Sequence, residues 1–215
     1  MLHSRLGNIV YRYPVFMKRT VAVFDFDGTL TCSDTLLPFM KFALGKVDFI
    51  MALLVNSPWL VAYACGVYPN WKAKQRLFST CFSGWTWERF CKAGEQFAAS
   101  GISSLRPEMT SALEELLQRN ASVYIITASM EPWVRPMLAD YHSLVFLTTR
   151  PEVVNGILTG KFAGANCYGP EKKRRLLEVE PCRGNYTLYV YGDSRGDREL
   201  LEWADYPCWR VWEGK

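Results

Sequence analysis

Residues 20–31 read Thr20-Val21-Ala22-Val23-Phe24-Asp25-Phe26-Asp27-Gly28-Thr29-Leu30-Thr31, an apolar, β-branched run that stops on two aspartates. A run without alternation suits a parallel strand covered on both faces. Gly28 lets the chain turn sharply, and the Gly28-Thr29 turn brings backbone N–H groups up to whatever Asp25 touches. Residues two apart on a strand share a face, so the side chains of Asp25 and Asp27 are expected to reach one site. The carboxyl end of a central strand is also where open α/β sheets hold their ligands. The pattern implies a hard-cation site beside a nucleophilic carboxylate. A plain strand-to-turn junction would read the same way, so the weight falls on three later segments.

Ser122-Val123-Tyr124-Ile125-Ile126-Thr127-Ala128-Ser129 is a second apolar strand, ending in small hydroxyl residues. The Thr127 hydroxyl and the N–H groups of a strand-to-helix turn can hold a phosphate oxygen, although a helix cap is the commoner use of such residues. Tyr168-Gly169-Pro170-Glu171-Lys172 opens a helix, with Pro170 at its first position and Lys172 in its first turn. That ammonium can neutralise a phosphate, while the neighbouring cations read as a solvated helix face. Thr187 to Asp197 is a third strand ending in acids, Asp193 and Asp197. Asp193 can complete an oxygen-ligand set with Asp25, and such a set, keeping several waters, fits Mg²⁺ better than Ca²⁺. Asp197 has two open roles: capping the next helix, or orienting Lys172 and a metal-bound water.

Taken in order, these four segments resemble the haloacid dehalogenase superfamily. Asp25-Phe26-Asp27-Gly28-Thr29 is similar to its first motif, Thr127 to its second, Lys172 to its third and Gly192-Asp193-Ser194-Arg195-Gly196-Asp197 to its fourth. The stretches Thr148-Thr149-Arg150, Gly156 to Gly160 and Asn166 to Gly169 further resemble the phosphoserine-phosphatase-like branch, near a group that includes phosphatidylglycerophosphate phosphatase C. The resemblance implies phosphoryl transfer to Asp25, with Asp27 as general acid and base and its backbone carbonyl on Mg²⁺. Catalytic residues would be Asp25, Asp27, Thr127 and Lys172; metal ligands Asp25, Asp27, Asp193 and Asp197. Gly28, Thr29, Asp34, Ala128 and Ser129 would meet the substrate, with the Phe26–Thr29 backbone lending N–H groups to the phosphate. Asp34 stands where phosphoserine phosphatases carry a glutamate that contacts substrate, but it reads first as a cap for a helix starting at Thr35.

The chain has 215 residues, enough for a full core, and a net charge of +4 from 25 basic and 21 acidic residues. No basic stripe points to nucleic acid. Seven cysteines, at 32, 65, 81, 91, 167, 182 and 208, include no Cys-x-x-Cys pair. Such a scattered, odd set reads as reduced thiols in a cytoplasmic protein. Met17-Lys18-Arg19, directly before the first strand, reads as a start, leaving 1–16 as an N-terminal extension.

The predicted fold is α/β, a doubly wound, Rossmann-like and mostly parallel sheet. Its core is expected at 17–36 and 105–215, with an all-helical cap at 37–104 inserted after the first strand. Pro107-Glu108 opens a helix, Pro136 should kink or delay one over 131–141, and Asn155-Gly156 marks a hairpin. From Phe49 to Trp71 no residue is charged, long enough to cross a bilayer. Asn56-Ser57-Pro58 is expected to break this stretch into two halves, leaving three readings: a soluble cap, peripheral contact at the inner face of the membrane, or a span. Arg76 and Arg89, also in the cap, could face an anionic substrate but read first as surface residues.

The leading functional expectation is a Mg²⁺-dependent phosphomonoester hydrolase acting on a small phosphorylated metabolite or a phospholipid phosphate. A phosphomutase, a membrane-associated phosphatidylglycerophosphatase and a catalytically silent membrane-binding module are the alternatives.

Overall fold

The computed structural model describes residues 18–213, so the extension read at 1–16 lies outside the described residues. The opening run forms β1 (Arg19–Phe24), whose last four residues are buried. After a tight turn at Phe26–Leu30 come four helices, α1 (Leu36–Leu44), α2 (Lys46–Ala64), α3 (Asn70–Phe82) and α4 (Trp87–Ala99). The chain continues through α5 (Pro107–Gln118), β2 (Ser122–Thr127), α6 (Glu131–Met137), β3 (Val145–Thr148), β4 (Pro151–Val154) and β5 (Ile157–Phe162). It ends with α7 (Pro170–Val179), β6 (Tyr186–Gly192), α8 (Arg198–Leu201) and β7 (Tyr206–Trp209).

Five strands make one parallel sheet in the order β3-β2-β1-β6-β7. Val23 of β1 pairs with Tyr124 on one side and Val190 on the other, so the winding reverses at β1. The tips of β1, β2 and β6 therefore flank the crevice where doubly wound sheets bind ligands. Both faces of the sheet are covered. Ala22, Phe24 and Ile125 face the aromatic core shared with the inserted helices, and Val21, Val23 and Leu188 face the side of α7 and α8.

Phe39 of α1 stacks on Trp133 of α6 with ring centroids 4.4 Å apart, tying insert to core. A Cβ at Gly94 would lie 2.1 Å from the Pro132 carbonyl oxygen, so α4 meets α6 backbone to backbone. Thr31 bridges Leu105 where the chain re-enters the core.

One expectation needs correcting. The stretch around Pro58 does not break: α2 runs unbroken for 19 residues. Proline has no N–H to give the Leu54 carbonyl, and the Ser57 hydroxyl donates to that oxygen instead, at 2.8 Å. The Asn56 amide adds bonds to the Ala52 carbonyl and to Thr80 Oγ1 on α3. The insert at 37–104 is helical as expected, made of α1 to α4, and a hairpin from the core packs on it. The β4–β5 hairpin turns at Asn155 (φ 50°) and Gly156 (φ 77°), as its sequence demands, and then packs on the insert. Leu158 N–H donates to the Trp85 carbonyl and Gly84 N–H to that of Leu158, while Phe162 N–H donates to Gln75 Oε1. A two-stranded hairpin cannot stand alone in water, and this one is stabilised against the insert.

Pro136 does not delay α6, which starts at Glu131 and contains it, but the helix ends at Met137, short of the expected 141.

Candidate active site

Asp25 sits one residue past β1, anchored by a hydrogen bond from its own N–H to the Tyr191 carbonyl of β6. Asp27 lies within the turn, not on the strand, yet both aspartates line one cavity of about 540 Å³. The turn is possible because Gly28 takes φ 73°, and a Cβ there would come 2.5 Å from Asp193 Oδ2.

Lys172 is buried at the start of α7, where it bridges two acids. Its Nζ lies 2.8 Å from Asp25 Oδ1 and 2.6 Å from Asp197 Oδ1. Burial alone would lower its pKa, but Asp25 and Asp197 outweigh that and hold it above the usual lysine range. Burial, with Asp197 close by, pushes the Asp25 carboxyl well above the usual carboxylate range despite Lys172.

Asp197 meets Lys172, as one reading expects, but its side chain caps the turn at Arg195–Asp197 and not α8. One oxygen accepts from Lys172, and the other accepts from the Ser194 N–H and hydroxyl, both at 3.0 Å, closing a capping box.

The carboxylate cluster differs from the one the opening motif suggested. Oxygens of Asp25, Asp193 and Asp197 lie within 4.8 Å of one another, and Asp27 is not among them. Its Oδ1 accepts from the Thr35 N–H (2.8 Å) and Thr35 hydroxyl (2.6 Å), and its Oδ2 from the Ser129 hydroxyl. Leaving the strand early rotates Asp27 toward the insert. Burial and Asp34 raise its pKa, against the donors of Ser129 and Thr35.

Thr127, Ala128, Gly28 and Asp34 line the cavity with the acids. Asp34 also accepts from the Leu36 N–H at 2.8 Å at the start of α1, as its cap reading expects. Thr29 and Ser129 are corrected from substrate contacts to supports. Both are fully buried, the Thr29 hydroxyl donating to Asp193 Oδ1 at 3.0 Å and that of Ser129 to Asp27. Part of the expected backbone cradle is likewise turned inward: Phe26 N–H donates to Asp25 Oδ1 and Gly28 N–H to Thr31 Oγ1. Arg76 and Arg89 stay outside, stacked over Trp59 and Trp85. All seven cysteines are free.

Two residues escaped the sequence reading. Lys74 of α3 enters the cavity and donates to the Ala128 carbonyl at 2.6 Å; burial lowers its pKa, against the pull of Asp27. Trp133 donates to Thr35 Oγ1 at 2.9 Å, so an indole fixes the hydroxyl that fixes Asp27. Their partners lie far off in sequence, and no local pattern marks them.

A hard divalent cation fits this donor set. Asp25, Asp27, Asp34 and Asp193 line the cavity against only two ammonium groups, Lys74 and Lys172, and all the clustered donors are oxygens.

The sequence model of the haloacid dehalogenase-like hydrolases matches residues 22–202, a range that holds every acid named above. The chain belongs to that family. Protein CicA from Caulobacter vibrioides is 31% identical over 197 residues, covering 91% of this chain and 87% of CicA. A haloacid dehalogenase-like fold is shared with a Bordetella pertussis protein of unknown function (TM-score 0.72, 21% identity, 86% of each chain). It is also shared with a phosphoserine phosphatase solved as a phospho-aspartyl intermediate analogue (TM-score 0.63, 17% identity, 87% of this chain and 84% of that one).

Proposed function

We propose that this hydrolase cleaves phosphomonoesters with Mg²⁺, through an aspartyl-phosphate on Asp25. The observation that carries the reading is the convergence of Asp25, Asp27, Asp193, Lys172 and Thr127 from separate elements on one cavity. Membership of the hydrolase family and the fold shared with phosphoserine phosphatases support it.

Asp25 Oδ attacks phosphorus as the bond to the ester oxygen breaks. Lys172, held by Asp197, keeps the nucleophile placed and supplies positive charge beside the reacting group. The raised pKa of Asp27 suits a proton donor, which protonates the departing alkoxide. Water then attacks the aspartyl-phosphate while Asp27 takes its proton, which releases inorganic phosphate and restores Asp25. The Thr127 hydroxyl, which accepts from Ser129 N–H at 3.0 Å, keeps its own proton for a phosphate oxygen. Mg²⁺, held by Asp25 and Asp193 with the Asp27 carbonyl, would neutralise phosphate charge as it transfers.

The test is phosphate release from p-nitrophenyl phosphate with Mg²⁺, with excess chelator, and by Asp25→Asn. Release that stops in both controls is expected. Undiminished turnover by folded Asp25→Asn removes the nucleophile, and an isomerised ester in place of free phosphate indicates a mutase.

A further inference from the structure

Helix α2 is apolar almost throughout, yet little of it is buried. Val47, Ile50, Met51, Leu54, Val55 and Val61 recur at helical spacing and form an exposed stripe, Leu54 being 60% and Val61 61% accessible. Soluble surfaces rarely carry contiguous apolar patches of this kind without a partner.

Two observations choose the partner. The stripe is continuous with the active-site cavity. Leu37 and Leu60 line that cavity, and each also lines an apolar groove running out beside α2, the two grooves meeting at Leu53. An apolar tail attached to a phosphate at Asp25 therefore has an unbroken path to the exposed face. The second observation is charge. Lys41 and Lys46 line one groove, and Arg76 lies over Trp59 of α2. Between residues 36 and 76 the cations outside the catalytic cavity are Lys41, Lys46, Lys72 and Arg76, against Asp48 as the acid. A flat apolar stripe flanked by cations complements an anionic lipid surface.

The neighbours of the helix favour lying on such a surface over crossing it. Its inner face is hydrogen-bonded to α3 through Asn56 and Thr80, and α3 carries the exposed Lys72 and Arg76, which a span would drag into hydrocarbon. We propose that α2 docks the enzyme on an anionic lipid surface and that its substrate is a phosphomonoester with an apolar tail drawn from that surface. The substrate half of this rests on the phosphatase reading above.

The experiment uses the full chain and vesicles of phosphatidylcholine, alone or mixed with phosphatidylglycerol. Leu54→Gln/Val55→Gln/Val61→Gln changes the stripe outside the catalytic cavity, and circular dichroism verifies its fold. Co-sedimentation with the anionic vesicles, weakened by salt and about tenfold by the triple variant, is expected. Against long-chain phosphatidate in those vesicles the variant should lose about tenfold in rate, while turnover of p-nitrophenyl phosphate holds.

Equal vesicle binding by variant and parent overturns the docking surface. So does self-association abolished by the variant without vesicle binding, which would mean that a second copy covers the stripe. Protein that alkaline carbonate cannot strip from membranes shows a span and also overturns it. Vesicle binding with hydrolysis of the soluble ester alone overturns the substrate class. Binding with no phosphate release from either ester supports the surface and removes the phosphatase reading instead.

Discussion

The strand tips and α2 wall the same cavity and are held in opposite ways. Asp25, Asp27 and Asp197 each accept two or more hydrogen bonds or ion-pair contacts, and Lys172 is fixed between two carboxylates. Along α2 the outward stripe meets solvent, and polar bonds tie the helix to α3 through Asn56 and Tyr63 and to its own backbone. A site that reshapes charge during phosphoryl transfer must be rigid, because positioning supplies most of the rate. A surface that receives an apolar partner needs shape without polar partners. Substitutions at the tips should therefore be severe, and substitutions on the stripe nearly silent for folding.

The largest effect belongs to Lys172→Met, expected to lower kcat roughly 10²–10³-fold in steady-state phosphate release. A loss below about fivefold would mean that the ammonium contributes structure alone. Next, Gly94→Ala forces α4 away from Pro132 and should cost about 2 kcal/mol in denaturant unfolding. An unchanged midpoint would show that insert and core are not locked at this contact.

Glu171→Gln probes the support behind Lys172. Its bonds from Arg174, then Arg175, hold the Glu171 carboxyl at about 2, below its ordinary 4.5. Arg175 in turn donates to the carbonyls of Thr148 and Ala165, fastening α7 over the sheet. A depressed acid pKa stabilises the fold fully above 4.5, and that contribution drains as pH falls toward about 2. The variant should be weaker by about 1–2 kcal/mol at neutral pH, discounted for the exposure of Arg174. The gap from the parent should narrow as unfolding is measured at successively lower pH below 4.5; a gap that widens on acidification contradicts the pairing. Smallest of all, Leu54→Gln should stay within about 0.5 kcal/mol of the parent.

The same contrast explains what the sequence could reveal. The strands and their acids were legible because a buried parallel strand and the residues after it are contiguous: Val21 to Asp27 states both fold and chemistry in seven letters. The hairpin at Asn155-Gly156 was legible for the same reason, since its turn depends on two neighbouring residues. Its packing on Trp85 was not, because the bonds join backbones some seventy residues apart. Thr35, Trp133 and Lys74 act through similar long-range contacts. Pro58 misled for a subtler reason. The breaking rule holds for an unaided proline, and Ser57 supplies the missing donor from the adjacent position.

The account rests on Asp25 as the atom that receives phosphorus. Its most direct measurement is rapid acid quench of the enzyme turning over p-nitrophenyl phosphate with Mg²⁺, followed by mass spectrometry of the peptide carrying Asp25 and Asp27. One phosphoryl group on Asp25, absent from Asp25→Asn and accumulating in Asp27→Asn where hydrolysis of the intermediate slows, is the predicted result. Phosphate released at full rate with no phosphorylated Asp25 at any quench time would contradict it.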